Sequence, residues 1–159
     1  IAIMSGPEWS LDNAQRINGF KDFFKEKGIA IDKRLIVRGN YLEKVAYGEV
    51  EKIIKMDSNI TAIFSCNDQM AFGVIKKLKE LGFACPKDIS VIGFDDEADA
   101  AKFDPPLTTI HVPVYDLAKE GTRLLVNHLQ NELSNKSLRG VVTLATLLVE
   151  RNSARNISA

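Results

Sequence analysis

The chain has 159 residues, 45% of them hydrophobic and 26% charged, which are the proportions of an ordinary globular domain. Its 21 basic residues equal its 21 acidic ones, and this balance argues against a DNA-binding surface, which needs an excess of positive charge. Two cysteines without metal-ligand spacing exclude a disulfide framework and favour a reducing cytoplasm, and no apolar run is long enough to span a membrane.

The first part of the chain alternates short apolar strands with amphipathic helices. Residues 1–4 predict a strand, the turn Ser5-Gly6-Pro7 follows, and Ser10 or Asp12 can cap the next helix. That helix ends at Gly28 and is expected to bury Leu11, Ala14, Ile17, Phe20 and Phe24. Residues 35–37 predict the second strand, and the helix after it is expected to bury Val50, Ile53 and Ile54.

A strand, a helix and another strand are predicted between residues 59 and 96. Residues 60–65 and 90–94 are the apolar strands, and the helix between them shows helical spacing of Ala71, Val74, Ile75, Leu78 and Leu81. A unit of this length is a crossover between parallel strands, and such sheets bind ligands beyond the carboxyl ends of their strands. Four polar residues lie at these ends: Asn67, Asp68, Asp95 and Asp96.

The last part of the chain leaves this pattern. Residues 97–107 predict a loop closed by Pro105-Pro106, and residues 108–112 a strand or crossing segment. A helix is predicted over residues 114–132 and a last strand over 141–149, whereas residues 151–159 show no core signal. Four strands alternating with three helices by residue 94 predict an α/β fold with a doubly wound parallel sheet.

Three motifs carry a family resemblance: SCNDQMAFG at residues 65–73, ISVIGFDD at 89–96 and FDPPLTTI at 103–110. Together with RINGF at 16–20 and VERNS at 149–153, they closely resemble the lactose and galactose repressor family of bacterial transcription regulators. The resemblance covers nearly all of residues 1–152. It implies a periplasmic-binding-protein-like effector domain that is normally preceded by a helix-turn-helix headpiece.

The resemblance also implies a domain organisation of two similar lobes, which the chain crosses three times, with the effector between them. Residues 1–111 would form most of the C-terminal effector lobe, residues 112–138 a helix of the N-terminal lobe, residues 139–152 the return strand, and residues 153–159 a tail. Residue 1 is isoleucine, so we expect the natural N-terminus to be absent. The resemblance implies that the headpiece and most of the N-terminal lobe are missing from this chain.

Asn67 and Asp95 are the first candidates for effector contacts, because an amide and a carboxylate can together donate to and accept from adjacent hydroxyls. The alternative for Asn67 is a helix N-cap. The resemblance places both residues at effector-contacting positions and gives Asp68 and Asp96 cap and framework roles.

Further effector contacts are implied by the resemblance. Arg16 matches the arginine of the family's RxxGF motif, which reaches into the cleft, although alone it would be a surface helix arginine. Tyr41 falls where members of the family often place a ring that stacks on a sugar, and its alternative is a half-buried loop tyrosine. Trp9, Ser10 and Asp12 lie in a segment that varies with effector, but Trp9 could equally pack at the helix entrance.

Enzyme chemistry is not indicated. The sequence lacks a dinucleotide-binding glycine motif, a P-loop, a nucleophile elbow and a zinc-protease motif. His111 and His128 have neither the spacing nor the acidic neighbours of a metal site, so we expect no metal and no cofactor. Asp95 and Asp96 could suggest a carboxylate dyad, but adjacent side chains point in different directions.

The predicted function is therefore effector sensing and dimerisation in a sugar-responsive, cytoplasmic transcriptional repressor, which contacts operator DNA through the missing headpiece. In part of the family a phosphoprotein acts as corepressor. The alternative to the repressor function is a sugar-binding protein of a transport system with the same fold.

The two-fold interface of the family implies dimer contacts for Phe72 and Phe103. Phe72 lies off the predicted buried stripe and Phe103 is an apolar residue in a polar loop, so both are expected to be exposed aromatic residues. The alternative is that both rings pack within their own subunit.

Overall fold

The computed structural model of the protein describes residues 1–132 and 141–156. Four helices are present in this part of the chain: α1 (Leu11–Glu26), α2 (Glu43–Met56), α3 (Asp68–Glu80) and α4 (Val114–Glu132). The strands are β1 (Ala2–Ser5), β2 (Ile36–Arg38), β3 (Ala62–Ser65), β4 (Ser90–Ile92), β5 (Thr109–His111) and β6 (Leu147–Val149). A turn of 3-10 helix, Lys33–Leu35, precedes β2.

The first four strands form one parallel sheet in the order β2-β1-β3-β4. This confirms the predicted α/β architecture with a parallel sheet. The chain starts in the middle, moves outward to β2 and returns to the other side of β1, so the order reverses between β1 and β3. In open α/β sheets the carboxyl ends of the strands at such a reversal flank a crevice that binds ligands.

The segments that contain β5 and β6 run next to the end of β4. Strands β5 and β6 pair antiparallel, and the chain around β5 also makes two isolated bridges to the β4 segment, with Thr108 opposite Ile92 and His111 opposite Asp95. We call residues 107–112 and 147–153 the two crossing segments. The second is shorter as a strand than predicted, because residues 141–146 are not in a strand.

The prediction that residues 151–159 contribute nothing to the core is wrong at Ser153, which is fully buried. Its hydroxyl donates to the carbonyl oxygen of Val91 at 2.6 Å and accepts from the backbone N–H of Thr108 at 2.8 Å. A polar side chain that hydrogen-bonds two strands gives no hydrophobic signal in the sequence, although it fastens the end of the second crossing segment to the sheet.

Helix α1 begins where predicted, with Ser10 as its N-cap, whose Oγ accepts from the N–H of Asn13 at 3.3 Å. The predicted buried stripe is wrong at Leu11, which is 71% exposed, and at Ala14. The helix is rotated so that Asn13 is buried and Arg16, Ile17 and Phe20 are half-buried. It therefore presents a polar inner face near its N-terminus.

Helix α4 spans the predicted residues but leaves much of its apolar side in solvent. Among its exposed side chains are Leu117, Leu124, Leu125 and Leu129. No helix in the described ranges combines the length and the apolar composition that a membrane span requires.

Helices α2 and α3 pack closely because α3 carries a glycine at the contact. A Cβ atom at Gly73 would lie 2.2 Å from the backbone carbonyl oxygen of Glu43. We predict that Gly73→Ala lowers the free energy of unfolding by about 1 to 3 kcal/mol, because the two helix backbones must separate.

A matched control for this variant is Gly48→Ala in α2, where a Cβ atom meets nothing within 4 Å. This change should raise the free energy of unfolding by up to about 1 kcal/mol through helix propensity. Chemical denaturation of both variants measures the difference. Equal effects at the two positions would contradict the close contact.

Candidate functional site

The side chain of Arg16 in α1 joins groups at the carboxyl ends of β3 and β4. Its Nη2 is 3.0 Å from Oδ1 of Asp95, and its Nη1 donates to the backbone carbonyl of Cys66. The guanidinium lies over the ring of Phe94, with 3.9 Å from Cζ to the ring centroid. Arg16 is thereby fixed by groups that follow two strands, and its side chain is only 17% exposed.

The carboxylate of Asp95 is held in a partly buried, negatively charged environment. Desolvation raises its pKa above the usual value, while the charge and hydrogen bond of Arg16 oppose this shift. Nearby Glu97 and Asp12 raise the pKa further. One oxygen of Asp95 pairs with Arg16, which leaves the other with acceptor capacity for a ligand hydroxyl.

Tyr41 and Asn67 lie at the ends of β2 and β3. The Tyr41 ring covers Gly6, where an added Cβ atom would lie 2.4 Å from the ring, and its hydroxyl is 3.4 Å from Ser10 Oγ. Asn67 is buried and is the N-cap of α3: Oδ1 accepts from the N–H of Met70 at 3.0 Å, and Nδ2 donates to the carbonyl of Tyr41 at 3.3 Å. The cap of α3 is therefore Asn67 and not Asp68.

Four non-glycine residues adopt left-handed backbone conformations in the described part of the chain, and all follow a strand at this edge of the sheet. They are Asn40 (φ 55°), Tyr41 (φ 63°), Asp95 (φ 114°) and Asp96 (φ 58°). Such conformations disfavour side chains with a Cβ atom and concentrate at ligand-binding sites.

Asp68, the first residue of α3, hydrogen-bonds to β5 and to the segment that follows Asp95 and Asp96. Its fully buried carboxylate accepts from the Thr109 hydroxyl at 2.6 Å and from the N–H of Glu97 at 2.8 Å. Desolvation raises the pKa of Asp68 to about 6, although both hydrogen bonds act against this shift. A Cβ atom at Gly93 would lie 2.2 Å from Asp68 Oδ1, so the absence of a side chain at position 93 leaves room for the Asp68 carboxylate.

Asp96 faces away from Asp95 toward the crossing segments. Its Oδ1 is 2.7 Å from Arg151 Nη2, and its Oδ2 is 2.9 Å from His111 Nδ1. Burial acts to raise the pKa of Asp96, but the hydrogen bonds and charges of Arg151 and His111 outweigh it and lower the pKa. Asp96 is an anion in a framework contact.

A cavity of about 610 Å³ adjoins Arg16, lined by Asp12, Phe94 and Leu117 among others. Asp12 therefore lies at the site, and Ser10 contacts Tyr41. Trp9 is 88% exposed, which excludes a packing role at the entrance of α1. His128 is exposed on α4.

The expectation that Phe72 is exposed is wrong, since it is only 3% exposed. It stacks on half-buried Phe103 with a centroid distance of 4.5 Å, and Lys76 Nζ is 5.7 Å from the Phe103 ring. The two aromatic residues thus share one surface, with Phe103 outermost.

Sequence reasoning missed several residues that build the site. Asn13 accepts from the N–H of Gly6 at 2.7 Å and donates to the Pro7 carbonyl, which fixes the turn after β1. Phe94 lies under Arg16, and Arg151 pairs with Asp96. The only available signal was that Phe94 and Arg151 belong to the motifs at residues 89–96 and 149–153.

The cysteines do not add a nucleophile. Burial raises the pKa of Cys66 and of Cys85 to about 11, so both are protonated thiols at neutral pH.

Comparison with known proteins gives consistent matches. A family model described as "Periplasmic binding protein-like domain" matches residues 1–154. The chain is 38% identical over 142 residues to the HTH-type transcriptional regulator MalR of Clostridium butyricum, covering 89% of this chain and 41% of that protein. It is 35% identical to the HTH-type transcriptional repressor PurR of Vibrio atlanticus, covering 99% of this chain and 46% of that protein.

Among solved structures, the lac repressor dimer bound to operator and the anti-inducer ONPF superposes with a TM-score of 0.85 at 27% identity, covering 96% of this chain and 51% of that one. The chain spans about half the length of the relatives it matches.

The buried Asp68 carboxylate predicts a pH-dependent stability. Its folded-state pKa of about 6 lies above the usual 3.8, so folding takes up a proton between these values and the stability gained at low pH is lost as the pH rises through about 6. Between pH 4 and pH 7, titration of Asp68 should therefore lower the free energy of unfolding of the wild type by about 2 kcal/mol.

Denaturation of wild type and Asp68→Asn at both pH values measures this effect. The stability advantage of the wild type over Asp68→Asn should be larger at pH 4 than at pH 7, because the asparagine cannot titrate. Asp32→Asn, on an exposed pair with Arg34, is the control for loss of a carboxylate. An advantage that grows toward pH 7 would contradict the raised pKa.

Proposed function

We propose that this chain, which belongs to the periplasmic binding protein-like domain family in the form found in LacI/GalR-type transcriptional regulators, senses a small-molecule effector for a cytoplasmic repressor. The observation that carries the proposal is the Arg16–Asp95 pair, held at 3.0 Å beyond the carboxyl ends of β3 and β4. The proposed effector is a sugar or a related polar molecule, bound without catalysis.

The chemistry of the crevice supports a hydroxyl-rich ligand. Asp95 offers an acceptor, Arg16 and the Asn67 amide offer donors, and the Tyr41 ring offers an apolar face. Ser10, Asp12 and exposed Trp9 are secondary candidates around this set. A neutral polyol matches mixed donors and acceptors better than a purely anionic ligand does, because Asp12, Asp95 and Glu97 make the site acidic.

The relatives support regulation rather than transport, because they are named as transcriptional regulators and repressors. The chain has a net charge of zero, so we assign operator contact to a headpiece outside it. A regulator of this kind works when the effector binds one arrangement of the protein better than the other.

The exposed apolar side of α4 supports the proposed domain organisation. The exposed leucines are Leu117 (44%), Leu124 (37%), Leu125 (58%) and Leu129 (53%). If the chain formed a single lobe, leaving these side chains in water would cost hydrophobic free energy. We assign residues 1–111 to one lobe and the α4 segment, residues 112–138, to a second lobe that covers these leucines, with residues 139–152 returning to the first. Residues 133–140 of these two ranges lie outside the described part of the chain.

Effector binding is predicted to depend on Asp95 and Asn67. A thermal-shift screen of the full-length regulator with neutral sugars, including maltose and cellobiose, should identify at least one that raises the melting temperature. Calorimetry with that sugar should then show that Asp95→Ala and Asn67→Ser each weaken the free energy of sugar binding by about 1 to 3 kcal/mol, because buried polar partners are left unpaired.

Serine is chosen at position 67 because it retains an N-cap oxygen for α3 while removing the amide. Asn59→Ala, at an exposed turn position, controls for loss of an asparagine. Full affinity in both site variants, with normal circular dichroism, would remove Asp95 and Asn67 from the effector site.

We also propose that the surface formed by Phe103 over Phe72 lies in a homodimer interface. Because Phe72 is buried, the test belongs at Phe103: Phe103→Glu should give a folded monomer, since a two-fold axis brings the new charge close to its own copy. The control Phe23→Glu changes a phenylalanine that is 53% exposed on α1 and should remain dimeric.

Sedimentation velocity with circular dichroism distinguishes the outcomes. A folded dimer of Phe103→Glu at the wild-type dissociation constant would exclude Phe103 from the interface.

A further inference from the structure

A single carboxylate joins the end of β4 to both crossing segments. Asp96 Oδ2 is 2.9 Å from Nδ1 of His111, at the end of β5, and its Oδ1 is 2.7 Å from Nη2 of Arg151, just after β6. The side chains of Asp96 and Arg151 are 17% and 19% exposed, and that of His111 is 40% exposed. We call these three residues the Asp96 clamp.

Arg151 fastens the second crossing segment at two further points. Its Nη1 donates to the backbone carbonyl of Leu107 at 2.7 Å, and its own N–H donates to Thr108 Oγ1 at 2.9 Å. A lysine could replace one of the guanidinium contacts but not both, because it lacks the planar fork. The arginine therefore ties the exit of β6 to the start of the first crossing segment as well as to Asp96.

The clamp begins at the residue that directly follows Asp95, the candidate effector-contacting residue. The Asp95 carboxylate meets Arg16 at 3.0 Å, while its N–H donates to the carbonyl of Ile110 at 2.9 Å in the first crossing segment. Both Asp95 and Asp96 have left-handed φ values, 114° and 58°. A residue other than glycine keeps such a conformation when contacts on both sides fix it, so a displacement of Asp95 must be taken up by Asp96 and its partners.

We propose that the Asp96 clamp couples the effector site to the two crossing segments. The contact between Arg16 and Asp95 fixes the backbone conformation at the end of β4. Asp96 transmits a change in that conformation through Arg151 and His111 to residues 107–112 and 147–153. Asp96, Arg151 and His111 are positioning residues that act through Asp95, and they do not contact the effector. This inference rests on the proposed function for its purpose, although the mechanical coupling itself does not require the effector.

The test is hydrogen exchange in the full-length regulator without any added ligand. Asp96→Asn keeps the size of the side chain and removes the charge shared by Arg151 and His111. Amides in residues 107–112 and 147–153 should exchange at least about 5-fold faster than in the wild type, a change of about 1 kcal/mol in the opening free energy. Arg151→Lys should give a smaller increase, because it restores the ion pair alone.

A double-variant cycle separates coupling from simple loss of support. The side chain of Arg16 contacts Asp95, Cys66, Phe94 and Tyr41. The variant Arg16→Gln removes the guanidinium that makes these contacts, and it should accelerate exchange in residues 147–153 about 3-fold or more. In the Asp96→Asn background the same change should have no further effect there. Asp32→Asn, which removes the carboxylate of an exposed ion pair, should leave both crossing segments unchanged.

Two results would overturn the coupling: exchange within twofold of the wild type in Asp96→Asn, or effects of Arg16→Gln and Asp96→Asn that multiply independently. If Asp96→Asn does not fold by circular dichroism, His111→Gln, which leaves the Asp96–Arg151 pair in place, is measured in the same cycle with the same criteria. Failure of the proposed function would appear instead as absence of sugar binding, a separate measurement.

Discussion

The fold and the candidate site both depend on the corner that follows β4, where two adjacent aspartates point in opposite directions. Asp95 reaches Arg16 on α1, and Asp96 reaches Arg151 and His111 on the crossing segments. The corner is therefore the point at which a helix on the sheet, the last strand of the sheet and the chain that leaves it are held by charge-assisted hydrogen bonds, which are stronger than neutral ones.

This arrangement has an energetic cost that lies where a ligand would bind. The left-handed conformations of Asn40, Tyr41, Asp95 and Asp96 each cost about 1 to 3 kcal/mol relative to a relaxed backbone. The surrounding contacts stabilise them: the Tyr41 ring against Gly6, Arg16 against Asp95, and Arg151 against Asp96. A crevice whose polar groups are already fixed loses little conformational entropy when it binds a ligand.

The sequence predicts those elements whose burial is apolar and periodic. The α3 stripe is one such element, since Ala71, Val74, Ile75 and Leu78 are buried as their spacing indicates. Prediction fails where burial is polar or long-range. Asn13 and Ser153 are buried through hydrogen bonds, and Phe72 is covered by Phe103 from 31 residues away in the chain, so no local pattern marks them. At the site the family motifs identify residue types, but the pairings of Arg16 and Asp96 appear only in three dimensions.

The structure also changes how the capping and ligand interpretations of Asn67 relate to each other. Its Oδ1 accepts one hydrogen bond, from Met70, and its Nδ2 donates one, to Tyr41. An amide oxygen has two lone pairs and an amide nitrogen two hydrogens, so half of the hydrogen-bonding capacity of the side chain is still available. Because the cap fixes the amide at the start of α3, effector binding would use this remaining capacity without breaking the cap. The two roles are therefore compatible, and the cap supplies the orientation that a ligand contact needs.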